Sequence, residues 1–207
     1  MELRFLLCWL GTMAFHLFLY FGSQYWEGEP RTVGWQLDWR IPVVPGFIYI
    51  YCSWFPLLLL VPMALYRADP ALALRFLLAD ILDQLISFAV FMLYPTTFQR
   101  PAPAGKGLTK QLFRIVYGAN HRFLNCIPSV HCSASLLFIC AVLSCAALPQ
   151  WQLVLTVVMA VLIICSTVLV EQHMLIDVIT AVPTALAAWA LSGLADSAAL
   201  ARWLNIM

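Results

Sequence analysis

The stretch of sequence that decides the fold is VHCSASLLFICAVLSCAALPQWQLVLTVVMAVLIICSTVLV, residues 130–170. It contains no Asp, Glu, Lys or Arg, and one helix of that length would measure about 60 Å, twice the ~30 Å hydrocarbon core of a bilayer. The segment LPQW at 148–151 divides the run, with Trp151 as an interface anchor. The stretch therefore predicts two consecutive membrane helices, at 130–148 and 153–170.

The composition of the whole chain is that of a membrane protein. Of its 207 residues, 63% are hydrophobic and only 10% are charged, whereas a soluble domain has about 25% charged residues. The formal net charge of +1 does not provide the basic surface that nucleic-acid binding needs. We therefore expect an integral, multi-pass membrane protein with no nucleic-acid partner.

Four further apolar stretches complete the expected set of helices. They are residues 3–22, 45–66, 76–94 and 174–194, each long enough to cross a bilayer. The first is interpreted as an anchor, because the residues that follow it offer no small-x-small signal-peptidase site. Pro56 and Pro62 are expected to kink the second. The sequence predicts an all-α bundle of six transmembrane helices, forming a single domain over residues 1–207.

Two connections in this arrangement are long. Residues 23–44 contain Trp26, Trp35 and Trp39 and are expected to lie along the membrane interface. Residues 96–127 form the longest polar connection, which carries the cations Arg100, Lys106, Lys110, Arg114 and Arg122. The seven cysteines lack metal-ligand spacing and are interpreted as small apolar side chains. The sequence also allows a disulfide between Cys126 and Cys132.

Chain topology brings four distant polar residues to one side of the membrane. Six crossings alternate sides, so the end of the third helix and the starts of the fourth and sixth emerge on the same face. These positions carry Arg100, His131, and the pair His173 and Asp177. We therefore expect the four side chains at similar depth, near one interface.

The pair His173 and Asp177 has the spacing of a catalytic imidazole and its orienting carboxylate. Residues four apart lie on one helical face, so Asp177 can bind one ring nitrogen and leave the other exposed as a nucleophile or base. Two histidines, an aspartate and an arginine on one face indicate phosphoryl transfer through a phosphohistidine.

The second histidine follows a predicted helix start. Pro128 is suited to the first helical position, which would place His131 in the first turn. Free N–H groups at such a start bind phosphate, with the Ser129 hydroxyl as an added donor. Arg100 would supply a guanidinium for the phosphate oxygens.

Three motifs, in this order, resemble the signature of the type 2 phosphatidic acid phosphatase superfamily. They are YPTTFQRP at 94–101, PSVH at 128–131 and STVLVEQHMLID at 166–177, and the resemblance covers residues 94–178. It implies a six-helix membrane enzyme that uses no metal or other cofactor. It also implies an active site on the extracytoplasmic face.

The resemblance assigns a role to each residue of the expected site. His173 would attack phosphorus, and Asp177 would orient its ring. His131 would protonate the leaving oxygen and then activate the acceptor, while Arg100 would bind the equatorial oxygens. The implied function is a membrane lipid phosphoesterase, either a lipid phosphatase or a headgroup phosphotransferase. Its partners would be a phosphorylated lipid, the bilayer and a lipid alcohol as a possible acceptor.

The chain departs from the family pattern at three positions. Leu93 stands where the first motif has Lys, Val130 where the second has Gly, and Thr167 where the third has Arg. These changes resemble the branch of inositol phosphorylceramide synthase and sphingomyelin-synthase-like phosphotransferases. A phosphodiester carries one negative charge and needs fewer cations than a monoester, so we expect a diester headgroup donor. The candidates to replace the missing cations are Lys106, Lys110, Arg114 and Arg122, and Arg122 is assigned to phosphate binding with Arg100 and Ser129.

The same residue types also fit a non-enzymatic transporter of protons or anionic lipid. A transporter needs polar groups near the bilayer midplane, whereas the expected cluster lies at one interface. Asp80 and Asp83 are expected near the start of the third helix, about 20 Å from the site. They are assigned a structural role, with Arg75 as the candidate partner.

Other polar residues are given lesser roles. His16 has no partner in its helix and is expected to be a packing residue. Glu171 is expected to face water. One of Asn120, His121 and Asn125 is a candidate for substrate contact.

Overall fold

The protein is almost entirely helical. The computed structural model describes residues 2–25, 29–120 and 122–206, so that Trp26 and His121 lie outside the described residues. The helices are α1 (Glu2–Ser23), α2 (Phe47–Cys52), α3 (Trp54–Ala68), α4 (Pro70–Leu93), α5 (Gly107–Ala119), α6 (Val130–Leu143), α7 (Gln150–Leu169), α8 (Leu175–Ser192) and α9 (Ser197–Trp203). A 3-10 turn covers Asp38–Arg40, and β1 (Arg31–Thr32) pairs in parallel with β2 (Thr96–Thr97). The predicted all-α class is confirmed apart from this strand pair.

Five helical segments are long and apolar enough to cross a membrane, as a multi-pass membrane protein requires. They are α1, α2 and α3 taken together, α4, α7 and α8. The remaining predicted span, the fourth in chain order, falls on α6, which has only 14 residues. At about 1.5 Å per residue it reaches roughly 21 Å, less than the ~30 Å hydrocarbon core. Six crossings therefore remain a prediction.

The helix predicted for the second crossing is divided into two helices, α2 and α3, rather than only kinked. Only Ser53 separates α2 from α3. Pro56, in the first turn of α3, has no N–H to donate to the carbonyl four residues earlier, and its ring crowds that carbonyl. Pro62 lies inside α3. The break therefore falls just before the first proline.

The third crossing starts at Pro70, six residues before the predicted position. Asp69 caps α4 by accepting a hydrogen bond from the Leu72 N–H at 3.0 Å, and Pro70 occupies the first helical position, where its missing N–H costs nothing. This start places Asp80 and Asp83 in the middle of α4, which corrects the prediction that they lie near its start.

Arg75 is not the partner of these carboxylates. Its guanidinium donates to the Ser192 hydroxyl at 3.4 Å and to the Trp189 carbonyl at 3.2 Å. It also lies over the Trp189 ring, 4.1 Å from the centroid. The predicted pairing with Asp80 or Asp83 is therefore wrong.

The connection at residues 96–127 contains an element that the sequence did not indicate. Helix α5 buries Phe113, Val116 and Tyr117 against α2. Lys106, Lys110 and Arg114 lie four residues apart along its exposed side. These cations dominate the sequence of the stretch and obscure its apolar stripe. The sequence therefore predicts a polar loop where the structure has a helix.

Helix α4 lies at the centre of the bundle and packs against α1, α3, α6, α8 and α9. Contacts join the chain ends on one side, where the Arg4 guanidinium donates to the Leu204 carbonyl at 3.2 Å. On the other side the Asn125 amide donates to the Tyr20 carbonyl at 3.1 Å. This second side carries the polar residues of the predicted site.

Candidate active site

His173 and Asp177 form a buried hydrogen-bonded pair. The His173 Nδ1 atom lies 3.1 Å from Asp177 Oδ2. The same carboxylate oxygen accepts the Met174 N–H at 3.0 Å, which caps the start of α8. Because Nδ1 faces the carboxylate, the Nε2 atom of His173 is left with the lone pair.

The turn before His173 fixes the position of its backbone. Glu171 has a left-handed backbone with φ +48°. Gln172 N–H bonds to the Thr167 carbonyl at 2.9 Å and Glu171 N–H to the Val168 carbonyl at 3.0 Å, the pattern of a Schellman motif at the end of α7. The Thr167 carbonyl also accepts the His173 N–H at 3.1 Å. The end of α7 thus orients the first residues of the next motif.

Ser129 links α6 to α8. Its hydroxyl accepts the Cys132 N–H at 3.4 Å as the N-cap of α6, and its own N–H donates to the Asp177 carbonyl at 3.1 Å. Pro128 lies before this cap, joined to Ile127 by a cis peptide. The prediction that Pro128 occupies the first helical position is therefore wrong.

His131 lies in the first turn of α6, as predicted. Among the described residues, the N–H groups of Val130 and His131 have no acceptor. Two free amides and the positive end of the helix dipole form a site suited to an anion.

Aromatic side chains enclose the His131 ring. The Tyr51 ring stacks on it at 4.5 Å and the Trp54 ring lies at 4.1 Å, between centroids. The Tyr51 hydroxyl is 3.5 Å from His131 Nδ1, a long contact. Nε2 is buried and has no partner within the described part of the chain, so it is the nitrogen available for proton transfer.

The two imidazoles face each other across a small cavity. Their ring centroids are 6.2 Å apart, with an angle of 49° between planes. The cavity has about 20 Å³ of open space, room for one water-sized group, so a lipid phosphate would require the lining side chains to move. They are Tyr20, Tyr51, Arg100, Asn120, Asn125, Val130, His131, Gln172 and His173.

Arg100 lines this cavity and has two nitrogens without a partner among the described residues. Its NH2 group donates to the Gln172 carbonyl at 3.4 Å. Its Nε and NH1 atoms are buried without a partner among the described residues. The guanidinium lies 5.1 Å and 5.2 Å from the Phe98 and Phe123 ring centroids, within cation–π range. One nitrogen therefore anchors the side chain and two remain for phosphate oxygens.

The other residues assigned to phosphate lie outside the cavity lining. Ser129 serves as the helix cap, and Arg122 donates to the Gln24 carbonyl. The three cations of α5 are exposed, so Arg100 is the one Lys or Arg among the described residues that line the cavity.

Leu93 and Thr167, which stand where the superfamily motifs carry cations, have uncharged side chains. The Leu93 side chain is 84% exposed and faces away from the site. The Thr167 hydroxyl donates to the Ile164 carbonyl at 2.7 Å. Val130, which stands where the motif that PSVH resembles has Gly, lines the cavity.

Several lining residues were missed or only partly anticipated. Tyr20 and Tyr51 were assigned no role, because they come from separate elements outside the three motifs. Gln172 lies within the third motif, directly before His173, but was assigned no role. Asn120 and Asn125 were candidates for substrate contact and do line the cavity. Their side chains already bind the Leu124 backbone and the Tyr20 carbonyl, respectively.

Burial shifts the pKa values of several ionisable groups around the site. Burial raises the pKa of the Cys126 thiol well above its usual range, so this thiol stays protonated at neutral pH. All seven cysteines are free, and the Cys126–Cys132 bond is not formed. Burial also raises the pKa of Tyr117 to about 12, and its hydroxyl donates to the Val170 carbonyl at 3.0 Å. Glu171 is half-buried rather than fully exposed, and burial raises its pKa.

Asp38 is a structural residue of the site that the sequence did not indicate. Its carboxylate accepts the Leu175 N–H at 2.8 Å through Oδ1 and the Trp35 N–H at 2.6 Å through Oδ2. It thereby fixes the Trp-containing segment to the start of α8, next to the His173–Asp177 pair. Asp38 precedes Leu175 by 137 positions, so no local sequence pattern indicates their hydrogen bond.

We expect Asp38→Ala to lower the free energy of unfolding by about 1–3 kcal/mol, because a buried N–H loses its acceptor. Thermal unfolding of the purified protein in detergent measures the change. Asp196→Ala, at the exposed cap of α9, is the matched control and should have a smaller effect. An unfolding temperature equal to that of the unsubstituted protein would contradict the structural role.

Comparison of the chain with protein-family models, curated proteins and solved structures finds no match. Among the described residues, no group of three His, Cys, Asp or Glu side chains is arranged to hold a metal ion.

Proposed function

We propose that this protein is a membrane lipid phosphoesterase that acts through a phosphohistidine intermediate. The observation that carries the proposal is the arrangement of two imidazoles from different helices around one cavity, 6.2 Å between centroids, with one imidazole bound to a buried carboxylate. Arg100 and the free amides of α6 lie beside them and supply positive charge for a phosphate group.

In the first step His173 Nε2 attacks phosphorus, forming an N–P bond as the bond to the leaving oxygen breaks. Asp177 accepts the Nδ1–H of the ring and stabilises the charge that develops on it. His131, protonated at Nε2, gives its proton to the leaving oxygen, which departs as an alcohol. Arg100 and the amides bind the non-reacting oxygens.

In the second step an acceptor hydroxyl loses its proton to His131 Nε2 and attacks phosphorus. The O–P bond forms, the N–P bond to His173 breaks, and both histidines return to their starting states. Water as acceptor gives a phosphatase, and a lipid hydroxyl gives a headgroup phosphotransferase.

The scarcity of cations favours a phosphodiester donor. Arg100 is the one guanidinium or ammonium group that lines the cavity in the described part of the chain. A phosphodiester has a single negative charge, whereas a monoester approaches two near neutral pH. A site with one arginine neutralises the diester more completely.

We therefore expect faster turnover of phosphatidylinositol or phosphatidylcholine with a lipid alcohol than of phosphatidic acid. Purified protein in mixed micelles, assayed for headgroup transfer and for phosphate release, tests this. Hydrolysis of phosphatidic acid with no activity on either diester would contradict the proposed donor class. Absence of activity on every phospholipid would contradict the enzymatic function itself.

A second candidate is a transporter of protons or anionic lipid. It is favoured by one observation, the presence of buried ionisable side chains in the middle of α4, at Asp80 and Asp83. Proton flux into liposomes that persists in an Asp177→Asn variant, without lipid turnover by the unsubstituted protein, would support the transporter. Turnover that depends on Asp177 supports the enzyme.

The six-crossing topology and the side of the membrane belong to the same proposal. We assign α6 to the fourth of six crossings and the site to the extracytoplasmic face, following the family resemblance. Labelling of single cysteines placed in α5, from outside intact cells, tests the side.

A further inference from the structure

A second polar cluster lies inside the bundle, away from the cavity lining. Asp80, Asp83, Gln84 and Ser87 share one face of α4, at the i, i+3, i+4 and i+7 spacing. All four side chains are buried, and Asp83 and Ser87 are 0% exposed. Ionisable side chains in a membrane helix are costly and usually have a function.

Neighbouring helices contribute two polar groups to this cluster. The His16 Nδ1 atom of α1 lies 3.9 Å from Asp80 Oδ2. The Ser133 hydroxyl of α6 donates to Asp83 Oδ2 at 2.7 Å. Neither carboxylate has a lysine or arginine nitrogen within 4 Å among the described residues.

The other ionisable side chains on helices packed against α4 have their own contacts. In α1 and α3, Glu2 pairs with Arg67 at 3.8 Å. The Tyr66 hydroxyl donates to the Ile206 carbonyl at 3.3 Å. The remaining charged groups and histidines on these helices are Arg4 on the Leu204 carbonyl, Arg202 on the exposed side of α9, Asp177 on His173, and His131 in its aromatic enclosure. Tyr20 of α1 lines the active-site cavity.

Most polar atoms of the cluster lack a partner. Both carboxylate oxygens of Asp80, the Oδ1 atom of Asp83, the Nε2 atom of Gln84 and the hydroxyl of Ser87 are buried and unpaired among the described residues. Two ionised carboxylates would leave a charge of −2 here, and a protonated His16 could neutralise only one. An unpaired buried charge costs several kcal/mol, which protonation of the carboxylate avoids.

We propose that this cluster is an internal proton-binding site, in which Asp83 is retained as a carboxylic acid at neutral pH. His16 lies beside Asp80 and can compensate that carboxylate, whereas Asp83 has only the neutral Ser133 hydroxyl. The proton therefore belongs on Asp83. The unpaired Gln84 and Ser87 groups provide polar partners for it or for water.

The protonation state of Asp83 affects the charge next to the candidate active site. Ser133, which binds Asp83, lies two residues after His131 in the first turn of α6. An ionised Asp83 would place negative charge behind the free amides that are to hold a phosphate. A neutral Asp83 keeps the hydrogen bond to α6 without opposing the anion. Asp83 is thus a positioning residue for the start of α6.

Infrared spectroscopy of the purified, detergent-solubilised protein at pH 7 tests the proposal, because protonated carboxylic acids give a C=O band separate from carboxylates. We expect such a band in the unsubstituted protein, a shift on labelling with ¹³C-aspartate, and its loss in Asp83→Asn. Asp196→Asn, which removes an exposed cap, should leave it unchanged. Absence of the band at pH 7, or a band that survives Asp83→Asn, would overturn the proposal.

A further variant keeps the test valid where Asp83→Asn does not fold. Ser133→Ala removes the hydrogen bond to Asp83 and should shift the carboxylic acid band while leaving its area unchanged; an unshifted band would assign the proton elsewhere. The readout needs no turnover, and the band should persist in His173→Gln. Failure of the proposed enzymatic function would therefore leave this result intact.

Discussion

His173→Gln is expected to reduce lipid turnover by on the order of 10⁴-fold or more, as removal of a catalytic nucleophile does in other covalent enzymes. Glutamine is similar in size to histidine but cannot form a phosphorylated intermediate of comparable reactivity. The variant removes one hydrogen bond to Asp177 and leaves the cap of α8 in place. Headgroup transfer and phosphate release, assayed in mixed micelles, measure the loss.

Glu171→Gln is the matched control for this variant. The residue lies in the same turn and is half-buried, but it does not line the cavity. We expect turnover close to that of the unsubstituted protein. The unfolding temperatures of both variants should remain near the original value, which excludes a folding defect. A His173→Gln protein that retains a tenth of its turnover would rule out His173 as the nucleophile.

His131→Gln is expected to lower turnover of natural lipids by about 10²–10⁴-fold, the usual contribution of a general acid–base group. The reason is specific to the leaving group, because an alkoxide needs a proton as it departs. A lipid analogue with a p-nitrophenyl leaving group needs none. Its first step should therefore be impaired far less by the substitution.

The rates of the first step on the natural lipid and on the p-nitrophenyl analogue together identify the role of His131. A burst of p-nitrophenol from His131→Gln, followed by slow turnover, is the expected signature of a phosphoenzyme that lacks its general base. His173→Gln should give no burst with either substrate. Equal losses in the rate of the first step on both substrates, measured before the steady state, would show that His131 is not the general acid.

Much of the helical architecture could be predicted from the sequence. Five of the expected crossings coincide with long apolar helices, within a few residues at most ends. The prediction succeeds because a membrane helix must satisfy its backbone hydrogen bonds internally and present apolar side chains to lipid, so composition alone reveals it. The start of α4 was misplaced because Asp69 and Pro70 form a local cap that precedes the apolar run.

The elements that hold the site were harder to predict. Helix α5 is a surface helix with cations on one side, and its buried side chains pack in a cluster with α2 and Val170. At the end of α7, Glu171 adopts the left-handed backbone conformation that usually requires glycine, so the sequence lacks the usual signal for a helix end. Asp38 and Arg100 bind backbone groups far away in the chain, a pairing that no local pattern encodes.

The sequence by itself determined that this is a multi-pass membrane protein, because hydropathy is a local property. The expected pairing of His173 with Asp177 is present, but the prediction that the two share a helical face is wrong: α8 begins at Leu175, so His173 reaches the carboxylate from the turn before the helix. Tertiary structure alone decided that the rings of His131 and His173 lie 6.2 Å apart and that Arg100 is the cation beside them. It also decided that Asp83 lies behind the start of α6. Those distances depend on how separate helices pack, and packing is a property of the whole bundle rather than of any one segment.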